Sequence, residues 1–209
     1  LWAINNLIEI HIRLEKNLKK TRNSFFKHLI NKVNGKTAPL SEVLIQKKEK
    51  SNYPHKEKKF IGLENIKSGE FKVNTYSSSD DVKSNCNIIK KGDLCYSKLR
   101  PYLDKAFISS FDAISTTELL IYDSQHVSKE YLLFCFHSQD FLNYISEKGY
   151  GTKMPRVDND IIGKFPILIP DDENIILSDL KEFSEPIEDN GIKILKSKEI
   201  QLNLINQVF

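Results

Sequence analysis

Along the first thirty residues, Ile4, Leu7, Leu14, Leu18 and Phe25 fall on alternating three- and four-residue steps, with His11, Thr21 and His28 completing the register. That spacing predicts one long helix with a heptad stripe over about four heptads. Arg13, Glu15, Lys16, Lys19, Lys20 and Arg22 lie between the stripe positions, and no glycine or proline intervenes before Gly35 and Pro39. A helix this long cannot bury one narrow stripe alone, so it needs a partner. The far end of the chain offers one. Ile192, Leu195, Leu202 and Phe209 recur at heptad spacing, interrupted by Glu199 and Asn206, with Ile205 beside them and Pro186 and Gly191 ahead. The two ends are expected to pair as an antiparallel coiled coil, Leu7, Leu14, Leu18 and Phe25 against Leu195, Leu202 and Ile205.

Between the ends the texture changes. "FIGLENIKSGEF" predicts a short strand, a turn at Ser68-Gly69 and the start of another strand. "IIKKGDLCYSKL" places a turn at Lys91-Gly92-Asp93 between two β-prone runs, and "KAFISSF" and "AISTTELLIYD" add one strand each. Ser128 then caps a helix that Gly149 closes, with Leu132, Leu133, Phe136, Phe141 and Ile145 toward a core. Asp158 or Asn159 opens a single turn, and "FPILIP" returns as a strand. The run from Gln46 to Phe60 is dense in charge and is expected to be a mobile loop. The class is α+β: a globular mixed α/β domain with a curled β-sheet over residues 38–178, a long helix over 1–37 and another over 179–209.

Composition narrows the class. The 209 residues suffice for one domain with a real core plus an extension. With 40% apolar and 28% charged residues, this is ordinary globular material, and no apolar run approaches a membrane span. No secretory signal pattern opens the chain, and it begins at Leu1 rather than Met, so it is expected to be a fragment or a processed chain of the cytoplasm. Cys86, Cys95 and Cys135 are odd in number and far apart, which favours free or buried thiols over a disulfide or zinc framework. The net charge is only +3, yet residues 1–60 carry fourteen Lys/Arg against five Asp/Glu, and the remainder seventeen against twenty-three. Such asymmetry fits a polyanionic partner, or lysines that only solvate helix faces.

Catalytic patterns are missing. The sequence holds no H-E-x-x-H, P-loop, G-x-G-x-x-G, G-x-S-x-G or amino-methyltransferase motif. Asp171, Asp179 and Lys181 fit a loose nuclease pattern of two carboxylates and a lysine able to hold a divalent cation, but the spacing is permissive and the second carboxylate falls in a linker or helix start. A metal-dependent endonuclease is therefore one alternative function, and a coiled-coil adaptor binding only protein is another. Two loops carry donors without catalytic partners. "YSKLRPYLDKAF" sets Lys98, Arg100, Tyr102 and Lys105 around Pro101, and "GYGTKMPR" sets Thr152, Lys153 and Arg156 among glycines. Lysine suits a mobile phosphate contact and arginine a bidentate contact to guanine. Arg156 has a second reading, as a buttress for the loop beside Pro155. Both loops also suit plain solvated surface.

"FIGLENIKSGEF", "IIKKGDLCYSKLRPYLDKAFIS", "ISTTELLIYD" and "YGTKMPRVDNDIIGKFPILIP" come in an order that resembles the target recognition domains of type I restriction-modification specificity (S) subunits. The resemblance covers essentially the whole chain, with the flanking helices similar to that family's spacers. After "ILIP" the sequence departs: the family's proline-rich turn and Glu-Gln pair are replaced by "DDENIILSDLKEF". The resemblance implies sequence-specific recognition of double-stranded DNA, with Lys98, Arg100, Tyr102, Lys105, Thr152, Lys153 and Arg156 at the interface. It implies a methylase (M) subunit that binds S-adenosylmethionine and flips an adenine, a translocating restriction (R) subunit, and no cofactor, metal or catalytic residue in this chain. The family's full subunit has two recognition domains and two spacers, so a second half is expected, in the same protein or in a second copy. The helices would then act as a ruler of about 1.5 Å per residue across a split DNA site.

Overall fold

The computed structural model describes residues 2–151 and 153–180. The chain divides into two units, one spanning Lys32–Glu173 and the other holding the first helix and the chain from Asn174. Among the described residues no helix is long and apolar enough to cross a membrane.

The first helix, α1, spans Trp2–Ile30. The ion pairs Arg13–Glu9 (2.8 Å) and Lys19–Glu15 (2.5 Å) each join residues one turn apart along it. Its buried edge is not the expected one. Leu7 and Leu14 are each 45% exposed, and Thr21 and His28 are exposed as well. The buried positions are Ile8, Arg22, Phe26 and Leu29, with Ile4, His11, Glu15, Leu18 and Phe25 half-buried. The register is therefore turned by one residue: Ile8, Glu15, Arg22 and Leu29 take the places allotted to Leu7, Leu14, Thr21 and His28. Both registers have the same period, and Glu15 and Arg22 disguised the occupied one. Residues 173–180 are helical. The remaining C-terminal positions, with Leu195, Leu202 and Ile205, lie outside the described residues.

Among the described residues the larger unit has eleven strands: β1 (Gly35–Pro39), β2 (Leu44–Lys47), β3 (Lys50–Ser51), β4 (Lys59–Ile61), β5 (Ser77–Ser78), β6 (Cys86–Ile89), β7 (Leu94–Ser97), β8 (Ala106–Ile108), β9 (Ala113–Ser115), β10 (Leu119–Ser124) and β11 (Pro166–Pro170). Helices α2 (Lys129–Phe136), α3 (Gln139–Lys148) and α4 (Asn159–Gly163) complete it. The α+β class holds. The strands form three open arrays where one curled sheet was expected, ordered β2-β10-β7-β8, β3-β6-β9-β4-β5 and β1-β11. All these pairs are antiparallel except β4 with β9.

Within the four-stranded sheet, β10, β7 and β8 are covered on both faces, while the edge strand β2 is half-exposed. Cys95, Phe107, Leu119 and Ile121 join Ile61, Ile89 and Ala113 of the five-stranded sheet in one core cluster. On the opposite face Tyr96 and Tyr122 meet Phe136 of α2 at 5.1 and 6.2 Å between ring centres. Phe141 of α3 lies 5.0 Å from Phe136 and 5.1 Å from Phe165. Neighbouring side chains on a strand point to opposite faces, so a strand covered on both sides reads as an unbroken apolar run. The turn between β6 and β7 is not a hairpin: there the chain leaves one sheet for the other. Gly92 at φ +86° makes this change of direction without the strain a side chain would add.

Five further expectations change. "AISTTELLIYD" is two strands in different sheets, divided by a turn in which Leu119 N–H donates to the Thr116 carbonyl (3.2 Å). The helix after Ser128 is also two, because Ser138 closes α2 by donating to the Cys135 carbonyl (2.7 Å) and caps α3 by accepting from Phe141 N–H (3.2 Å). Gln46–Phe60 is no simple loop. It contributes to β2, β3 and β4, and Lys47 bonds both oxygens of Asp93 (2.9 and 3.0 Å). Lys47 and Lys50 sit on β2 and β3, which are edge strands, where charge is tolerated. The segment after Gly69 forms no strand until Ser77, and β1 begins at Gly35, inside the stretch allotted to the first helix. Ser128 caps α2 (3.1 Å to Tyr131 N–H), Asp158 caps α4 (2.8 Å to Ile161 N–H) and "PILIP" is a strand, as read from the sequence. All three cysteines are free and buried.

This packing sets two expected outcomes. Leu29→Ala should cost about 2–5 kcal/mol and Leu14→Ala under about 1 kcal/mol, measured by urea unfolding. Burial holds the phenols of Tyr96, Tyr122 and Tyr131 well above the usual tyrosine value and pushes the Cys135 thiol up to about 12. These groups keep their protons when folded and lose them when unfolded, so stability is full below their ordinary values and falls as pH rises beyond them. The slope is about 1.4 kcal/mol per pH unit for each group. In an alkaline titration followed at the phenolate band, these three tyrosines should ionise together with unfolding and not before it.

Candidate nucleic-acid interface

Strand pairing decides where the donor-rich loops emerge. Ser97 of β7 lies opposite Leu119 of β10. The chain leaving β7 and the chain entering β10 are therefore neighbours, and Lys98 N–H donates to the Glu118 carbonyl at 3.0 Å. Beyond Lys98 the backbone makes a single 3-10 turn, Pro101–Leu103. Proline at its first position presets the backbone and lacks a donor that would go unused there. The turn stands between two non-glycine residues in the left-handed region, Arg100 (φ 49°, ψ 63°) and Asp104 (φ 51°, ψ 56°). Each such residue costs about 1–2 kcal/mol, so the surroundings must enforce the shape. Asp104 N–H donates to the Pro101 carbonyl (3.1 Å), and the Asp104 carbonyl accepts from Gly69 N–H (2.7 Å). Its carboxylate lies 2.6 Å from Nδ1 of His137, a fully buried imidazole stacked on Phe71 at 4.9 Å and 9°.

The second loop closes on the first. Tyr150 and Arg156 exchange both main-chain hydrogen bonds at 2.9 Å, and Arg156 is also bridged to Leu99. Arg100 N–H donates to the Pro155 carbonyl (2.7 Å), and Val157 N–H to the Lys98 carbonyl (3.0 Å). At Gly151, φ +93° gives the tip its left-handed residue. The two segments, far apart in sequence, form one clasp fastened by backbone groups.

The expected site residues divide into three sets. Arg100, Tyr102 and Lys153 are exposed, with Tyr102 at 53%. Lys98 is half-buried at the base of the clasp. Two others are half-buried and bonded to protein groups. Lys105 donates to the Leu63 carbonyl at 2.6 Å, and burial lowers its pKa. Arg156 makes a two-pronged contact with Glu118, Nε to Oε2 at 3.2 Å and Nη2 to Oε1 at 3.1 Å, which raises its pKa further. This pair is the contact that the buttress reading calls for, although 39% of the Arg156 side chain stays exposed. Thr152 lies outside the described residues. Sequence reasoning passed over Tyr150 (53% exposed) and Met154 (41% exposed), large apolar side chains on the same clasp. It also passed over Glu118, although "ISTTELLIYD", which contains it, is one of the stretches that carry the resemblance.

The metal pattern gains no support. Asp171 and Asp179 are both exposed, Lys181 lies outside the described residues, and among the described residues no three His, Cys, Asp or Glu side chains could hold a metal ion. A cleft of about 450 Å³ opens elsewhere, with Lys50, Lys56 and Lys90 at its rim and Ile88 and Ile114 in its lining. Lys90 is paired with Asp112 (3.0 Å), and Lys50 bonds Asn87.

No family model matches the chain, and no curated protein matches it. Solved structures do. One, described as the structural basis underlying complex assembly and conformational transition of the type I restriction-modification system, aligns with a TM-score of 0.61 at 12% identity, over 98% of this chain and 55% of that one. The HsdS subunit from Thermoanaerobacter tengcongensis aligns at 0.51 and 13% identity, over 95% and 50%. The type I restriction-modification S subunit from M. genitalium aligns at 0.52 and 12% identity, over 99% and 54%. The chain has the fold of type I restriction-modification specificity subunits. It spans about half the length of the chains it matches. The expected likeness thus rests on the whole course of the chain and not on its short motifs alone. In this S-subunit fold the clasp occupies the loop ends of the twice-buried sheet.

Glu118 is the side-chain anchor of the clasp. In Glu118→Ala the amides of Tyr150, Arg156 and Val157 should exchange with deuterium several-fold faster, while those of β10 keep their protection. Equal protection in both proteins would show that the backbone bonds hold the clasp unaided.

Proposed function

We propose that this chain is the DNA-reading subunit of a type I restriction-modification enzyme. On this reading Lys32–Glu173 acts as a target recognition domain, performs no chemistry itself, and directs a methylase subunit and a restriction subunit to a split site on double-stranded DNA. The supporting observation is the clasp: two donor-bearing loops joined by main-chain bonds at one end of a sheet, with Arg100, Tyr102, Tyr150, Lys153 and Met154 all exposed on it. Preorganised donors lose little freedom when DNA arrives. Likeness to S subunits adds that the surface belongs to a fold used in such enzymes.

Roles within the clasp come from side-chain chemistry. Arg100 is the base reader, since an exposed guanidinium can bind two acceptors of guanine at once. Lys98 and Lys153 contact phosphate. Tyr102, Tyr150 and Met154 offer apolar surface to a thymine methyl or an exposed base face. Arg156 and Lys105 hold the clasp in shape.

The deciding experiment is co-purification with the cognate methylase subunit, followed by mapping of methylated adenines in DNA. One defined split sequence is the expected outcome, and none would refute the reading. The chain alone should turn over neither S-adenosylmethionine nor, with magnesium, DNA; cleavage by the pure chain would favour the endonuclease alternative. In the assembled complex, Arg100→Ala should cost about 1–3 kcal/mol on the proper site and far less on others. Lys153→Ala should weaken all sequences alike and flatten the salt slope by about one unit. Titrations at several salt concentrations, on matched and mismatched duplexes, separate the two effects.

A further inference from the structure

The contact between Asp104 and His137 has no part in the donor chemistry of the clasp, yet it sits at a demanding point. Asp104 ends the 3-10 turn that carries Tyr102, and Arg100 begins it. Both ends are left-handed without being glycine, so the turn does not hold its shape by backbone preference. The Arg100 end is fastened by the bond from its N–H to the Pro155 carbonyl. The Asp104 end has two fastenings: its carbonyl accepts from Gly69 N–H, and its carboxylate meets Nδ1 of His137 at 2.6 Å. His137 is the residue that ends α2, is wholly buried, and lies flat on Phe71. Ring and helix end together leave the imidazole little freedom to follow a moving loop. The Phe71 carbonyl in turn accepts from Ile108 N–H of β8 at 3.0 Å, so the support continues into the sheet.

We propose that His137 is a positioning residue for DNA recognition. Through Asp104 it fixes the left-handed end of the turn and so sets the direction in which Arg100 and Tyr102 meet DNA. This rests on the reading of the clasp as the DNA-contacting surface. It predicts an effect on which sequence is read, beyond any effect on how firmly the protein folds. His137 lies in the interior and is itself never in contact with the nucleic acid.

The test uses the full chain co-expressed with its methylase subunit, with host chromosomal DNA as the probe and the methylated sequence as the readout. The wild-type complex should methylate one split sequence. His137→Phe keeps an aromatic ring beside Phe71 and removes the donor. Asp104→Ala removes the acceptor. Each should make one or more positions in one half of the sequence degenerate, with the preference over single-mismatch sites falling about tenfold, the scale of one lost base contact. Asp104→Asn keeps an acceptor and tolerates the left-handed backbone, so it should restore the original sequence. If Asp104→Ala fails to assemble, Asp104→Gly relaxes the backbone strain while still lacking the carboxylate, and it should show the same degeneracy. An unchanged sequence from His137→Phe and from Asp104→Ala or Asp104→Gly, at whatever level of methylation, overturns the proposal and leaves the recognition reading standing. Asp104→Asn as degenerate as Asp104→Ala also overturns it. A wild-type complex that methylates no defined sequence removes the recognition reading, and this inference with it.

Discussion

Burial of strands β10, β7 and β8 on both faces is the constraint on which the rest of the domain depends. Neither side of these three strands is left for a partner, because one carries the cluster shared with the five-stranded sheet and the other the aromatic layer under α2 and α3. Functional groups can then stand only where strands end. Antiparallel pairing of β7 and β10 brings the exit of one and the entry of the other to a common edge, and the chain after α3 closes on it. The clasp is thus a product of sheet topology as much as of its own sequence. Exposed aromatic and basic side chains gather there because the sheet faces have no room for them.

The clasp also shows how a strained loop is held. Two left-handed non-glycine residues in five positions would not persist in an isolated peptide. Here, main-chain bonds to Pro155 and Gly69 and the Glu118–Arg156 pair enforce the shape from several directions. Each bond is modest by itself, since exchange with water cancels most of its strength. Their combined value is geometric: they narrow the set of conformations available to the exposed side chains and so lower the entropy lost on binding.

Much of the fold was legible in the sequence, and the failures are physical in kind. Caps at Ser128 and Asp158 were readable because a short polar side chain before an apolar run has few other uses. The division of "AISTTELLIYD" was not, since both pieces are β-prone and only tertiary pairing sends them to different sheets. Ser138 escaped notice because a serine within a helical run looks like a polar face until its hydroxyl is seen to serve both helices. On α1 the error was one of register. Leu7 and Leu14 advertised a stripe, whereas the occupied edge runs through Glu15, partnered by Lys19, and Arg22, bonded to Asn23. A charged residue at a buried position defeats any count of apolar letters. For the site, residue chemistry picked out two loops that the fold brings together but could not separate exposed Arg100 from paired Arg156 and Lys105, because that distinction lies in Glu118 and the Leu63 carbonyl, far away in sequence.

The bonds that fasten the clasp run between backbone atoms of Lys98, Leu99, Arg100, Tyr150, Pro155, Arg156 and Val157, with Glu118 as their side-chain support. The exposed side chains of Arg100, Tyr102, Lys153 and Met154 take no part in them. Selection can therefore exchange those four without opening the loop that presents them, so changing what the tip touches requires a few point mutations and no refolding. The separation of the scaffold from its exposed side chains is a route to fast divergence at the tip.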